Sequence, residues 1–192
     1  MKLYFNSLNH TQFESSEALE KQIQIDLSAC VQSEVMIDLM PSTDWNKRMI
    51  QPRFSGFCVD NLAVACSVYD VESTLLQVES ARVDEVLCSD LLRSNCPVTN
   101  QPDWGSVQVS YKGPRIIPSS FLKYIVSFRN HQGFHEQCIE QMFLDILAQC
   151  KPEYLTVYGR YTRRGGLDIN PYRSTAACDW QDSKFKLGLI RQ

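Results

Sequence analysis

The sequence predicts an α+β protein of two related halves, each with antiparallel strands carrying a pair of helices on one face. Two observations lead there. Between residues 105 and 170 the order of elements reads strand, helix pair, strand, strand. The second observation is a weak but extended internal repeat, in which "LYFNSLNHTQFESSEALEKQIQIDLSAC" (3–30) runs alongside "KYIVSFRNHQGFHEQCIEQMFLDILAQC" (123–150). Tyr4 stands opposite Tyr124, Ser7 opposite Ser127 and, after one inserted residue, Phe13 opposite Phe134.

Each element has its own justification. In the first half, residues 3–30 supply the helix pair, and "VMIDLM" (35–40) and "RFSGFCVD" (53–60) supply two strands. No strand pair precedes these helices, so the first half, residues 1–75, reads as truncated at its front and as the less stable of the two. The second half, residues 76–192, opens on "GSVQVSYKG" (105–113), whose alternation is that of a strand. "SSFLKYIVSFRNH" (119–131) reads as a helix with Ser119 or Ser120 as its N-cap, and Gly133 separates it from the next. In that next helix Phe134, Cys138, Ile139, Met142, Phe143, Ile146, Leu147 and Cys150 recur at helical spacing, and Pro152 closes it. "LTVYGRYT" (155–162) and "GLDIN" (166–170) then read as strands around an Arg-Gly-Gly turn.

Composition excludes several classes of function. The chain has 192 residues, 44% of them hydrophobic, which is enough to bury a core. Net charge is −3 with no run of five or six like charges, so no phosphate-tracking surface is evident and a nucleic acid is not the expected partner. "MKLYFNSLNH" lacks the continuous apolar segment of a signal peptide, and no stretch reaches the length of a membrane span. A cytoplasmic location is the expectation.

The eight cysteines (30, 58, 66, 88, 96, 138, 150 and 178) are scattered without a CxxC pair or metal-ligand spacing. In a reducing compartment they are expected to be free thiols, most of them small buried hydrophobes, as Cys138 and Cys150 are on their helical stripe. Cys96 departs from this pattern. In "LLRSNCPVTNQPDWGS" (91–106) it follows a polar lead-in, and Pro97 and Pro102 stop any helix, so it falls in a loop between periodic segments where a thiolate can be exposed. A lone loop cysteine is nonetheless more often structural than nucleophilic. Asp103 by itself reads as a turn residue of Pro-Asp-Trp-Gly. Glu136 lies in the first turn of its helix, where the dipole favours a carboxylate whatever its function. His135 could be a cap, a solvated side chain or, with His131, half of a metal pair; Gly133 lies between them and no third ligand is evident. "RYTRRGGLDIN" (160–170) is either a solvated hairpin or a loop whose backbone and guanidinium hold phosphate. No GxGxxG follows a strand, so a Rossmann-type cofactor site is not expected.

Taken together, "SNCPVTNQPDWGSV", "SFRNHQGFHEQC" and "RYTRRGGLDINPYRS" resemble the NADPH-dependent 7-cyano-7-deazaguanine reductases of queuosine biosynthesis, in their two-module form with paired tunnelling-fold halves. The resemblance covers essentially the whole chain and is densest over residues 91–174. It implies reduction of the nitrile of 7-cyano-7-deazaguanine to an aminomethyl group with two NADPH. A nitrile carbon accepts a soft nucleophile well, so Cys96 would form a covalent thioimide while Asp103 supplies the proton. His135 and Glu136 would bind the base, the carboxylate accepting from its guanine-like N–H edge. Arg164 and Gly165 would contact NADPH, and no metal is implied. The family carries a Glu-Ser-Lys-Ser segment ahead of the residues matching Lys2-Leu3-Tyr4, where this chain begins; the second copy offers Ile117 and Pro118 at the equivalent place. The alternative is therefore a catalytically weak module that traps the nitrile base. A cyclohydrolase-like relative is more distant, for want of a zinc set. Because exposed sheet edges need covering, a homo-oligomer is expected.

Overall fold

Residues 1–47, 50–178, 182, 185 and 188–192 are described by the computed structural model, in which the chain divides into two units, Met1–Met49 and Ile50–Gln192. The division falls after Met49 rather than after residue 75.

The first unit is the expected helix pair, α1 (Lys2–Leu8) and α2 (Ser16–Val31), followed by a 3-10 turn at Ser42–Lys47. Ser15 caps α2 by accepting the Ala18 N–H at 3.2 Å, and Gln32, at φ 54°, ends it in the left-handed conformation. Tyr4 Oη donates to Asp26 Oδ2 (2.8 Å), Gln22 Nε2 donates to Asp26 Oδ1 (2.9 Å), and Ser7 Oγ donates to the Tyr4 carbonyl (2.6 Å). "VMIDLM" forms no strand, contrary to expectation. A strand needs a paired neighbour, and here the Val35 N–H is satisfied instead by Ser28 Oγ at 3.0 Å.

The second unit is built on a five-stranded sheet in the order β2-β3-β4-β5-β6, where β2 is Phe57–Cys58, β3 Val78–Asn95, β4 Pro102–Ile116, β5 Tyr154–Tyr161 and β6 Tyr172–Ser174. β3 to β6 are antiparallel, and β2 adds to β3 in parallel. "RFSGFCVD" thus serves this sheet, through Phe57 and Cys58, rather than the first half. "GLDIN" is not a strand. Arg164 and Leu167 close a tight turn, and the partner of β5 lies further on at β6, after Pro171 has accepted the Gly159 N–H at 2.9 Å. β3, which the sequence reading missed, is the longest strand. Its first half is mostly exposed and is interrupted by Glu79, Arg82, Asp84 and Glu85, so it shows no continuous apolar face to read.

Helices α3 (Pro118–Ser127) and α4 (His135–Cys150) cover one face of the sheet. Phe121, Ile125, Phe128, Ile139, Met142 and Ile146 meet Leu87, Val107, Val109, Tyr111, Leu155 and Val157 in one core. On the other face Phe54, Cys88, Tyr158 and Leu189 form a smaller cluster beside the two-stranded pair β1 (Ile50–Gln51) and β7 (Gly188–Leu189). The helix pair repeats the hydrogen bonds of the first unit: Tyr124 Oη to Asp145 Oδ2 (2.6 Å), Gln141 Nε2 to Asp145 Oδ1 (2.8 Å), Ser127 Oγ to the Tyr124 carbonyl (2.6 Å). This corrects the register of the repeat. α2 and α4 are both 16 residues long and place Ser15 opposite Phe134, so the extra loop residue belongs to the first half and Phe13 is not the partner of Phe134.

One irregularity prepares the site. Between Ser89 and Leu92 the register of β3 against β4 shifts, from Ser89↔Val107 to Leu92↔Gly105, which inserts one extra residue in β3. Because side chains alternate with a period of two, the bulge turns Leu92 and Ser94 toward the helices, in line with Gly105 and Asp103.

Candidate functional site

β3 runs to Asn95, so Cys96 is the first residue beyond a strand, held in a tight turn rather than a loose loop. Its N–H donates to the Gln101 carbonyl and its carbonyl accepts from Asn100, both at 2.9 Å, with Asn100 at φ 55° returning the chain to β4. Cys96 is 7% exposed, less accessible than the loop reading implied. Its thiol is pulled down to about 6 by the Thr99 hydroxyl first, then by the Arg164 guanidinium and the N–H groups of Thr99 and Val98, against a smaller opposing effect of burial. A thiolate gathered by donors in this way is populated at neutral pH.

Asp103 belongs to β4 and not to a turn. It continues the inward row of Tyr111, Val109, Val107 and Gly105, and is 3% exposed. Its Oδ2 lies 3.3 Å from His135 Nε2 and its Oδ1 3.4 Å from Arg164 Nε. His135, the first residue of α4, is buried too, its ring stacked on that of Tyr161 at 3.9 Å with 1° between planes. Gly105 makes room for this stack, since a Cβ there would come within 3.1 Å of the Tyr161 ring. Burial lowers the His135 pKa, with Asp103 opposing, so the imidazole is neutral at physiological pH. Its Nδ1 has no hydrogen-bond partner among the described residues, which leaves the proton on Nε2, donated to Asp103.

Arg164 Nη2 donates to Thr99 Oγ1 (3.3 Å) and Gln101 Oε1 (3.2 Å), so one guanidinium gathers the cysteine turn and the buried carboxylate. Gly165 and Gly166, at φ 60° and 85°, are exposed, and a Cβ on Gly166 would meet nothing within 4 Å. That open, left-handed backbone beside a guanidinium fits a phosphate group. Glu136 stands on the exposed side of the first turn of α4, outside the buried cluster. The structure therefore brings Cys96, Asp103, His135 and Arg164 together, and leaves Glu136 and Gly165 on the exposed surface.

Sequence reasoning missed Thr99, Asn95 and Tyr161. Thr99 had a local signal, a hydroxyl three residues after the thiol across a proline turn. Tyr161 had none, because a strand aromatic reads as core. The expectation that most of the other seven cysteines are buried is not met: Cys88, Cys138 and Cys150 are buried, Cys58, Cys66 and Cys178 are half-buried and Cys30 is exposed. Among the described residues no group of three or more His, Cys, Asp or Glu side chains could hold a metal ion, and no helix is long and apolar enough to cross a membrane.

Comparison with known proteins bears on this cluster. A family profile described as nitrile reductase, 7-cyano-7-deazaguanine-reductase N-term matches residues 1–39, and one described as QueF-like protein matches residues 102–179. The chain is 55% identical over 192 residues to the NADPH-dependent 7-cyano-7-deazaguanine reductase of Legionella pneumophila (strain Corby), covering 100% of this chain and 67% of that one. It is 50% identical over 175 residues to the protein of the same name from Burkholderia ambifaria (strain MC40-6), covering 90% and 64%. The chain spans about two thirds of the length of these relatives. The solved apo form of the archaeosine synthase QueF-Like overlaps 53% of this chain and 99% of its own, with TM-score 0.44 and 18% identity.

Proposed function

The chain belongs to the NADPH-dependent 7-cyano-7-deazaguanine reductase family, and from that premise we propose that it reduces the nitrile of 7-cyano-7-deazaguanine to an aminomethyl group through a thioimide on Cys96. The observation that carries the reading is the convergence of a thiol held near its thiolate form with a buried carboxyl group, Asp103, between His135 and Arg164. The thiolate adds to the nitrile carbon, one C–S bond forms as one C–N π bond opens, and Asp103, entering this step in its acid form, gives its proton to the nitrogen and leaves as the carboxylate that His135 and Arg164 face. His135, a neutral donor on Nε2, orients that carboxyl group. The exposed Glu136 accepts hydrogen bonds from the amino and ring N–H groups of the base, with His135 beside it. Two NADPH molecules, bound in turn, would each supply one of the two hydrides that a nitrile needs to become an amine, and Arg164 with the Gly165 backbone would hold a phosphate of the cofactor. Free thiols throughout suit a reducing cytoplasm.

Mixing the chain with 7-cyano-7-deazaguanine and NADPH tests this directly. NADPH absorbance falls with two equivalents consumed per base, and mass spectrometry without NADPH shows a mass shift on the peptide containing Cys96. An adduct with no NADPH consumption would identify a trapping module instead. Absence of both would refute the reading.

A further inference from the structure

Asn95, immediately before the nucleophile, bonds away from its own hairpin. Its N–H donates to the His131 carbonyl (2.8 Å), its carbonyl accepts from Gly133 N–H (3.2 Å), and its side-chain Nδ2 donates to the Arg129 carbonyl (3.0 Å). Its Oδ1 is held in turn by Arg93 Nη2 at 3.1 Å. A second tie runs parallel, from Gln132 Nε2 to Oδ1 of Asn100 at 3.0 Å, within the cysteine turn. Residues 129–133 lead straight into Phe134, His135 and Glu136. Gly133 lies so close to this junction that a Cβ would meet His131 Nε2 at 2.6 Å.

These bonds are not what closes the cysteine turn, which is held by Cys96 with Gln101 and Asn100, nor what pairs the strand, since opposite Asn95 stands Pro102, which has no N–H to give. They join two segments about 35 residues apart in sequence, one carrying the thiol and the other the groups read here as recognising the base. Asn95 is 8% exposed and its amide is satisfied at both ends, the arrangement in which a buried polar side chain specifies one geometry.

We infer that Asn95 is a positioning residue for the reaction, setting the distance between the Cys96 thiol and the base-recognition groups His135 and Glu136. The inference rests on the functional reading above. Attack of sulfur on carbon requires the reacting atoms to be roughly 3–3.5 Å apart and aligned, and a displacement of about 1 Å costs on the order of 100-fold. Breaking the clamp leaves the thiol reactive but presents the nitrile badly.

The test compares Asn95→Ala and the isosteric Asn95→Asp with the parent chain, each first shown to melt cooperatively. Asn95→Asp keeps the acceptor for Arg93 and loses the donor to the Arg129 carbonyl, so it serves even if Asn95→Ala fails to fold. Two rates on Cys96 are measured, adduct formation at saturating 7-cyano-7-deazaguanine and alkylation by iodoacetamide. Adduct formation is expected to slow about 10- to 100-fold, while alkylation stays within about twofold, because Thr99 and Arg164 are untouched. Loss of both rates by the same factor, or of neither, overturns the inference. Base binding to a Cys96→Ala parent, followed by calorimetry, separates the two levels of argument. No binding there sinks the functional reading and this inference with it; intact binding with unchanged adduct rates in the Asn95 variants sinks only the inference.

Discussion

Cys96 gains its acidity from two neighbours that can be removed one at a time. The iodoacetamide rate of this cysteine should follow a titration centred at about 6, well below the ordinary thiol value of 9.0. Thr99→Val should move that midpoint up, and Arg164→Ala should do the same to a smaller extent, in keeping with the order of their contributions. Cys88 and Cys150, whose thiols burial pushes up to about 12, should show no such midpoint, and 7-cyano-7-deazaguanine should protect Cys96 alone. The linked effect on folding has a definite sign. The folded-state value is depressed, so this thiol's contribution is fully present above 9.0, declines as pH falls, and is gone below about 6. Cys96→Ala should remove that part of the pH dependence of the melting temperature. Asp103→Ala keeps the proposed nucleophile and removes the proposed proton donor, so adduct formation should slow roughly 100- to 10,000-fold as for ordinary general-acid catalysis. Cys96→Ser should form no detectable adduct, since an unactivated hydroxyl is a far weaker nucleophile.

Among the elements, α4 was the most legible. Of the eight apolar positions read from its spacing, Cys138, Ile139, Met142, Ile146 and Cys150 are buried, Phe143 and Leu147 are half-buried against the same core, and Phe134 is exposed. Met142→Ala should therefore cost about 2–5 kcal/mol in denaturant unfolding with little change in the Cys96 titration. β4 was legible from alternation, but only as far as Gly105, because Pro102 and Trp104 mimic a turn; that misreading is what hid the burial of Asp103. β3 was illegible for two reasons. Its outer half scatters Glu79, Arg82, Asp84 and Glu85 among small and apolar residues without a period, and its inner half changes phase at the bulge, so no single period describes it. The site suffers the same limit. Its loop residues carry sequence signals, whereas the Asp103–His135 contact joins two elements and depends on a register shift that local patterns do not record. Gly105→Ala tests the element directly. The added methyl would press on the Tyr161 ring, so the His135 stack should be disturbed and adduct formation slowed even where the melting temperature barely changes.

At the scale of the molecule, the acidic balance and the absence of long basic runs in the sequence lead us to expect no tight tRNA binding, which a filter assay near physiological salt checks. Open edges at β2 and β6 lead us to expect a homo-oligomer, which sedimentation at micromolar concentration checks; a lone monomer would speak against it. The two helix pairs, meanwhile, share one set of hydrogen bonds, Tyr4, Gln22 and Asp26 in the first and Tyr124, Gln141 and Asp145 in the second. The first pair carries Ser16 where the second carries His135, yet it keeps the tyrosine, the glutamine and the aspartate. The two 16-residue helices agree at only four aligned positions, so the glutamine and aspartate that recur between them, with the tyrosine that bonds to the aspartate, mark what holds a helix pair together in either copy. Glu17 stands where Glu136 does, so a carboxylate in the first turn is common to both copies, and the imidazole beside it is what sets the second apart at that end of the helix.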